Sequence, residues 1–431
     1  MRGPELLIHP AHAVRGTIRV PGDKSISHRY AMFSSIARGE TRVAHLSPGA
    51  DVASTIGCMR ALGACIEHTE LGAICVTGRG RRGLRAPAAP LDCGNSGTTM
   101  RLLSGLVAGH PFPSTLIGDA SLSGRPMRRV IDPLTAMGAR ITSDNGRAPL
   151  QIHGGDLSAI TWTTPVPSAQ IKSSVLLAGL HANGTTTVKE AVSTRDHTER
   201  AFRAFGVDIA TGDCACSLEG GQELSAPAGP LDVPGDPSSA AVWAAAAAAL
   251  PGSSVRLDDV CLNPLRLGFV GALRRMGASI DVESGREQAG EPVGWLRVAH
   301  GSHEDATIEG DEVPSLIDEL PVLAARAAHG GRLVVRGAAE LRVKESDRIS
   351  ALVRGFRQLG VDADELPDGF IIDGRTGRAA GGTADAAMDH RLVMAFALVG
   401  LGASGPTTIT GADVVAVSYP DFESDLASLL Q

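Results

Sequence analysis

Short apolar stretches bounded by Gly, Pro, Asn and Asp alternate along the chain with longer stretches of helical period. Strand character is concentrated in residues 16–20, 41–44, 73–77, 185–188, 332–335 and 407–409, each short and closed by turn residues. Between strands the period changes: Ile26, Tyr30, Phe33 and Ile36 fall on one face at helical spacing. Asp236 followed by Pro237 has the chemistry of an N-cap and a first-turn proline, and predicts a helix through the alanine-rich residues 240–250. That apolar run stops at Pro251 and is too short to cross a bilayer.

Two internal repeats organise these elements. The phrase Pro21-Gly22-Asp23-Lys24-Ser25 returns as Pro234-Gly235-Asp236-Pro237-Ser238, with proline in place of the lysine; the second copy is expected to keep the fold without the charges. A longer period is carried by an apolar residue, a glycine and a small residue leading into a strand, at Leu62-Gly63, Met137-Gly138, Phe205-Gly206, Met276-Gly277 and Leu359-Gly360. Each follows a helical segment, and glycine suits a helix C-cap. The spacing, 68 to 83 residues, implies about six copies in 431 residues. It is too long for a common solenoid and suits a compact unit of two helices and several strands. The expected fold is therefore α+β, six similar units in two domains. One domain is built from residues 1–20 plus 235–431, the other from 21–234, because the two Pro-Gly-Asp phrases mark equivalent crossovers.

Composition narrows the class. At 43% hydrophobic and 20% charged the chain has the make-up of a globular enzyme. A net charge of −7 and only 3% aromatics argue against a nucleic-acid partner. The seven cysteines are scattered, with no C-x-x-C pair, which fits a reducing, cytoplasmic compartment. No secretory leader pattern is present at the N-terminus.

Against the acidic background, four segments place a turn of small polar residues at a helix start with a cation beside it: residues 22–29, 92–101, 167–174 and 388–391. A helix start offers unpaired N–H groups and roughly half a positive charge to an anion. Lys24, Arg29, Arg101 or Arg391 would turn each into a phosphate or carboxylate cradle. Ordinary capping explains any one segment; four together, each with its own cation, favour anion binding. Further cations cluster at 123–129, 194–200 and 341–348. In the last group Lys344 and Arg348 are expected on one helical side with Glu345 adjacent, which suits a site that binds an anion and moves a proton. Asp318, Glu319 and Glu345 are the carboxylate candidates, the first two as acids in an apolar segment or as helix caps. Asp23 rather than glycine precedes Lys24, so no nucleotide P-loop is present, and neither a Rossmann fingerprint nor a metal-ligand spacing is found.

With these motifs in their order, the chain resembles the 5-enolpyruvylshikimate-3-phosphate synthases of the enolpyruvyl transferase family over nearly its full length. The resemblance is carried by Pro21 to Arg29, Gly94-Asn95-Ser96-Gly97-Thr98-Thr99-Met100-Arg101, Arg125-Pro126-Met127, Pro167-Ser168-Ala169-Gln170-Ile171-Lys172-Ser173, Arg195-Asp196-His197-Thr198-Glu199, Ile317-Asp318-Glu319, Arg342-Val343-Lys344-Glu345-Ser346-Asp347-Arg348 and Asp389-His390-Arg391. It implies a two-domain enolpyruvyl transferase fold of six βαβαββ units, three per domain, an inside-out α/β barrel with the active site in the cleft between domains. It also implies transfer of the carboxyvinyl group of phosphoenolpyruvate to the 5-hydroxyl of shikimate 3-phosphate, a step of the shikimate pathway toward chorismate and the aromatic amino acids. The expected enzyme is a cytoplasmic monomer acting on these two small molecules, with no cofactor, metal, nucleic acid or membrane partner.

By motif, Lys24, Ser25, Arg29, Ser168, Gln170, Arg195, Asp318 and Lys344 would hold shikimate 3-phosphate. Lys24, Gly97, Arg125, Gln170, Lys344, Arg348 and Arg391 would hold phosphoenolpyruvate. Asp318 would take the 5-hydroxyl proton, and Glu345 with Lys24 would move the proton at the methylene carbon. Ala169 departs from the second serine of some members, and Val417 from a lysine. Ser168-Ala169-Gln170 and Arg195 to Glu199 resemble the glyphosate-tolerant branch, whereas Gly97 is typical of sensitive members, so the expectation is a glyphosate target of partial sensitivity. The related UDP-N-acetylglucosamine enolpyruvyltransferases would want asparagine where His28 stands and a cysteine in a mobile loop, where this chain has Cys93 in the Gly-Asn-Ser-Gly turn. A non-catalytic binding protein on the same scaffold would lack the acids Asp318 and Glu345, which are present.

Overall fold

In the computed structural model, which describes residues 4–69 and 72–430, the chain forms two compact units. One groups Met1–Pro21, Gly235–Arg286 and Pro292–Gln431; the other groups Gly22–Pro234 with Glu287–Glu291. Pro21 and the hairpin turn Glu287–Glu291 each fall on the opposite side from the expected boundaries.

The same arrangement occurs five times in full, and a sixth time with a single strand in place of the hairpin. A leading strand runs parallel to a second strand, a buried helix connects them, an outer helix follows, and a hairpin completes the sheet antiparallel to the second strand. One copy reads Leu91–Asp92, helix Gly97–Ala108, Pro113–Ile117, helix Arg128–Ala136, Arg140–Asp144, Arg147–His153, with Pro113 opposite His153. In the continuous unit a second copy is built on helix Ala169–Gly179, and a third on helix Lys24–Ile36. The third borrows its leading strands, Leu224–Ser225 and Leu231–Asp232, from the far end of the unit. In the discontinuous unit the copies are built on helices Pro237–Ala249, Leu320–Ala327 and His390–Leu401. Strand Arg15–Ile18 leads the first of these, and Glu5–Ile8 stands beside Thr407–Thr410 in the last, which has three strands instead of four. The sheets are separate open ladders, and none closes into a barrel among the described residues.

The buried helix of each copy is mostly apolar or small along its length, as suits a helix surrounded by protein, with His28, Arg29 and Lys172 among the buried exceptions. All thirteen residues of Pro237–Ala249 are buried. Small residues let such helices approach closely: a Cβ at Gly105 would stand 2.0 Å from the Ser174 carbonyl of the neighbouring helix. The five repeat glycines do what their pattern predicts. Gly63, Gly138, Gly206, Gly277 and Gly360 each follow an outer helix, with φ between +80° and +106°, and turn the chain into the next strand. No helix among the described residues is long and apolar enough to cross a membrane.

Candidate active site

Each of the four cradle segments does open a buried helix. Asp23 caps Lys24–Ile36 by accepting from the Ile26 amide at 2.8 Å, and Ser96 caps Gly97–Ala108 by accepting from Thr99 at 3.0 Å. Ser168 caps Ala169–Gly179, and Asp389 caps His390–Leu401 through the Arg391 amide at 3.0 Å. Capping therefore accounts for these polar residues locally; the cations need a separate explanation.

In the continuous unit three helix starts are wired together. Lys24 Nζ lies 2.9 Å from Asp51 Oδ2, and the Asp51 carbonyl accepts from Thr99 Oγ1 at 3.3 Å. Thr99 Oγ1 is 2.6 Å from Thr55 Oγ1, which is 2.7 Å from His28 Nδ1. Gln170 joins the next pair, donating to Thr98 Oγ1 at 2.9 Å and accepting from Arg101 at 2.6 Å. Arg125, nearly buried, donates to Asn95 Oδ1 at 2.6 Å and to Ser121 Oγ at 3.1 Å. Gly97 sits between these arginines: a Cβ there would lie 2.8 Å from Arg101 and 3.4 Å from Arg125. Ser25 and Arg195 are half-buried at the starts of the Lys24 and His197–Ala204 helices. Arg29 is buried and donates to Thr198 Oγ1 at 2.7 Å, Ser173 Oγ at 2.6 Å and the Ser25 carbonyl at 2.8 Å. Burial lowers its guanidinium to about 10, against the pull of Glu199 and Asp23.

In the discontinuous unit one carboxylate gathers three cations. Asp318 Oδ1 is 3.8 Å from Lys344 Nζ, 3.8 Å from Arg391 Nε and 4.0 Å from Arg348 Nη1, and Arg391 also donates to the Asp318 carbonyl at 2.9 Å. Arg348 is buried; its Nε is 2.7 Å from Asp389 Oδ2 and its Nη2 is 2.5 Å from Glu345 Oε2. Its Nη1 is buried and makes no hydrogen bond among the described residues. Loss of water lowers the Lys344 amine, and Arg348 adds to that, while Asp318 opposes it.

Three expectations are corrected here. Lys344 and Arg348 do not share a helix: a 3-10 turn, Ala339–Val343, ends at Lys344, and Arg348 begins the helix Arg348–Gln358. They meet at Asp318 because the intervening turn folds back, not through i,i+4 spacing. Glu319 does not join Asp318; it points the other way, buried, and accepts from Ser238 Oγ. The second Pro-Gly-Asp phrase is not devoid of charge either, since Asp236 Oδ1 receives the buried Arg266 guanidinium at 2.9 Å. Glu319 and Arg266 come from elsewhere in the chain, which is why the local phrase gives no sign of them.

Asp51 and Asp389, which hold Lys24 and Arg348, were not singled out from sequence. Asp389 lay inside a quoted motif as the cap before Arg391; Asp51 carries no local signal, because its partner is 27 residues away. Of the motif histidines, His197 Nδ1 is 2.6 Å from Glu291 Oε1, and His28 Nδ1 is 2.7 Å from Thr55 Oγ1. Among the described residues no group of three or more His, Cys, Asp or Glu is placed to hold a metal ion.

Comparison with known proteins gives one answer. A family model described as EPSP synthase (3-phosphoshikimate 1-carboxyvinyltransferase) matches residues 8–426. A 3-phosphoshikimate 1-carboxyvinyltransferase from Acidithiobacillus ferrooxidans is 48% identical over 417 residues, covering 96% of this chain and 95% of the relative. The protein of that name from Halorhodospira halophila is 49% identical over 425 residues, covering 98% and 95%. A solved structure of EPSP synthase from Acinetobacter baumannii superposes with a TM-score of 0.87 at 43% identity, covering 99% of this chain and 98% of that one.

Proposed function

The chain belongs to the EPSP synthase family, and on that premise we propose that it transfers the carboxyvinyl group of phosphoenolpyruvate to the 5-hydroxyl of shikimate 3-phosphate and releases phosphate. The observation that carries this reading is the meeting of Asp318 with Lys344, Arg348 and Arg391. Three preset cations around one carboxylate suit a reaction that handles a polyanion and a proton in the same place.

Arg348, Arg391 and Lys344, with Arg125 and Lys24, would hold the carboxylate and phosphate of phosphoenolpyruvate. Lys24, Ser25, Arg29, Ser168, Gln170 and Arg195 would hold shikimate 3-phosphate, with Ser168 and Arg195 nearest its phosphate. Lys344, Arg348 and Arg391 already stand around the Asp318 carboxylate, preset for an incoming anion. Asp318 then removes the 5-hydroxyl proton as the oxygen adds to C2 of phosphoenolpyruvate, while Glu345 or Lys24 delivers a proton to the methylene carbon. The tetrahedral intermediate collapses with loss of that methyl proton and departure of phosphate. Asp389 supports the reading, because it fixes the buried Arg348 through Nε and Nη2 and leaves Nη1 for an anion. On the same premise the two compact units are the family's two domains. A cytoplasmic monomer working without cofactor, nucleic acid or membrane completes the reading.

Phosphate release from phosphoenolpyruvate is the test, with shikimate 3-phosphate and UDP-N-acetylglucosamine as alternative acceptors. Release is expected only with shikimate 3-phosphate, and Asp318→Asn is expected to lower kcat by about 100-fold or more. Release only with the sugar nucleotide overturns the acceptor, and binding without release overturns the activity.

A further inference from the structure

Lys172 is a buried cation for which the proposed reaction has no use. It lies two residues beyond Gln170 on the inner side of the Ala169–Gly179 helix, 3% exposed. An ammonium has three donors, and all three are taken. Nζ is 2.9 Å from Glu190 Oε2, 2.8 Å from Glu199 Oε1 and 3.1 Å from the Thr194 carbonyl. Burial works against this charge, but Glu199 and Glu190 overcome it and raise the amine above the usual lysine value.

The three acceptors frame one short segment. Glu190 follows the strand Thr185–Lys189, Thr194 immediately precedes Arg195, and Glu199 lies in the first turn of the helix His197–Ala204. Glu190 also accepts from the Thr194 amide at 3.4 Å and from its hydroxyl, so residues 190–194 close on themselves around the ammonium. On the other flank Thr198 Oγ1 receives Arg29 Nε at 2.7 Å and lies 2.6 Å from Ser173 Oγ. Arg195 is thus held on both sides, by Lys172 before it and by the Arg29–Thr198–Ser173 group after it.

Stability alone does not account for such a cluster. Taking a lysine and two glutamates out of water costs several kcal/mol per ion, and apolar residues of the same volume often serve a core better. A charged network with every ammonium donor used gives instead a single defined position for the chain that it ties. We propose that Lys172 is a positioning residue for acceptor binding: its ammonium fixes residues 190–196 so that Arg195 is presented to the phosphate of shikimate 3-phosphate. The proposal rests on the functional reading above for the identity of that phosphate.

A double-mutant cycle tests it, with shikimate 3-phosphate affinity measured by titration calorimetry on wild type, Lys172→Met, Arg195→Ala and the double variant. Lys172→Met alone is expected to weaken binding by roughly tenfold, and by less than about twofold when Arg195 is already absent. Lys172→Arg should recover most of the loss. Equal losses in both backgrounds, or a lower Tm with unchanged affinity, overturn the proposal. Because Lys172→Met strands two buried glutamates, the neutral triple variant Lys172→Met/Glu190→Gln/Glu199→Gln keeps the test open if the single variant fails to fold, and it should show the same loss of affinity. Hydrogen exchange supplies a readout that needs no ligand. Amides 191–196 should exchange at least about tenfold faster in Lys172→Met or in the triple variant while those of Gly97–Ala108 do not change; unchanged exchange at 191–196 overturns the proposal. Failure of the wild type to bind shikimate 3-phosphate would count against the functional reading alone, and the exchange measurement would still decide the role of Lys172.

Discussion

At the scale of single residues, position in a charged motif does not tell what a side chain is for. His28 lies between Lys24 and Arg29 in a motif full of donors, yet it is buried, with Nδ1 2.7 Å from Thr55 Oγ1. Burial lowers its pKa to about 3, with Lys24 and Arg29 adding to the effect and Asp51 opposing it. A group this depressed is a neutral wedge in the folded state, and it makes a definite contribution to pH dependence. The unfolded chain binds a proton at His28 near the ordinary value of 6.5, the folded chain only near 3. Stability from this residue is therefore complete above about pH 6.5 and is lost as pH falls from there toward 3. Between pH 7 and pH 5.5 the loss is about 1 kcal/mol. His329, lowered to about 4 by burial, behaves in the same way and remains in any His28 variant. Urea unfolding at the two pH values should show a drop about 1 kcal/mol smaller in His28→Gln than in wild type. An identical drop in both would mean that His28 is charged in the folded protein.

At the scale of elements, the local grammar was readable and the long-range partners were not. Strand Arg332–Val335 has the predicted bounds, and the alanine-rich helix begins at Pro237 with Asp236 as cap, because caps, turns and periodicity act within a few residues. The five glycines foretold five helix ends for the same reason. The helix drawn through Lys344 and Arg348 failed because spacing alone does not reveal the turn between them. Asp318 and Glu319 adjoin and are alike as carboxylate candidates in the sequence, whereas the partners that separate them, Ser238 on one side and Lys344 on the other, lie 81 and 26 residues away. Glycine shows the same contrast between local and positional meaning. Gly57 lies inside the helix Ala50–Ala61 with nothing within 4 Å of an added Cβ, so alanine there should stabilise by about 0.5–1 kcal/mol. Gly206 is just as open, but its φ is +81°, where alanine pays about 1–2 kcal/mol. Opposite shifts of Tm from one substitution at two uncrowded sites would establish that conformation, not space, selects the repeat glycines; shifts of the same sign would reject it.

At the scale of the whole molecule, the six copies are alike in arrangement but unlike in how much chain must close to build them. Pro113 finds His153 across a loop of a few tens of residues, and Arg332 finds Asp373 likewise. Ile8 must find Thr407, Arg15 must find Ser254, and Leu231 must find Val43. Loop-closure entropy rises with the logarithm of length, so a loop ten times longer costs about 2 kcal/mol more before its contacts form. The buried helices Lys24–Ile36, Pro237–Ala249 and His390–Leu401 cannot finish packing until these stitched strands arrive, because their sheets are incomplete without them. Folding should therefore begin in the contiguous copies of both units and end at the stitched ones. Pulsed hydrogen exchange during refolding should find amides of Pro113–Ile117, Arg147–His153, Arg332–Val335 and Gly369–Asp373 protected first. Those of Glu5–Ile8 with Thr407–Thr410, Arg15–Ile18 with Ser254–Cys261, and Leu231–Asp232 with Ala37–Ala44 should follow. Simultaneous protection of both sets would show that closure length does not limit folding here, and earlier protection of the stitched strands would reverse the order. Joining distant strands into one sheet also makes the last step global: the leading strand of the first copy in each unit comes from outside that copy, so neither unit is complete until its most separated segments have paired.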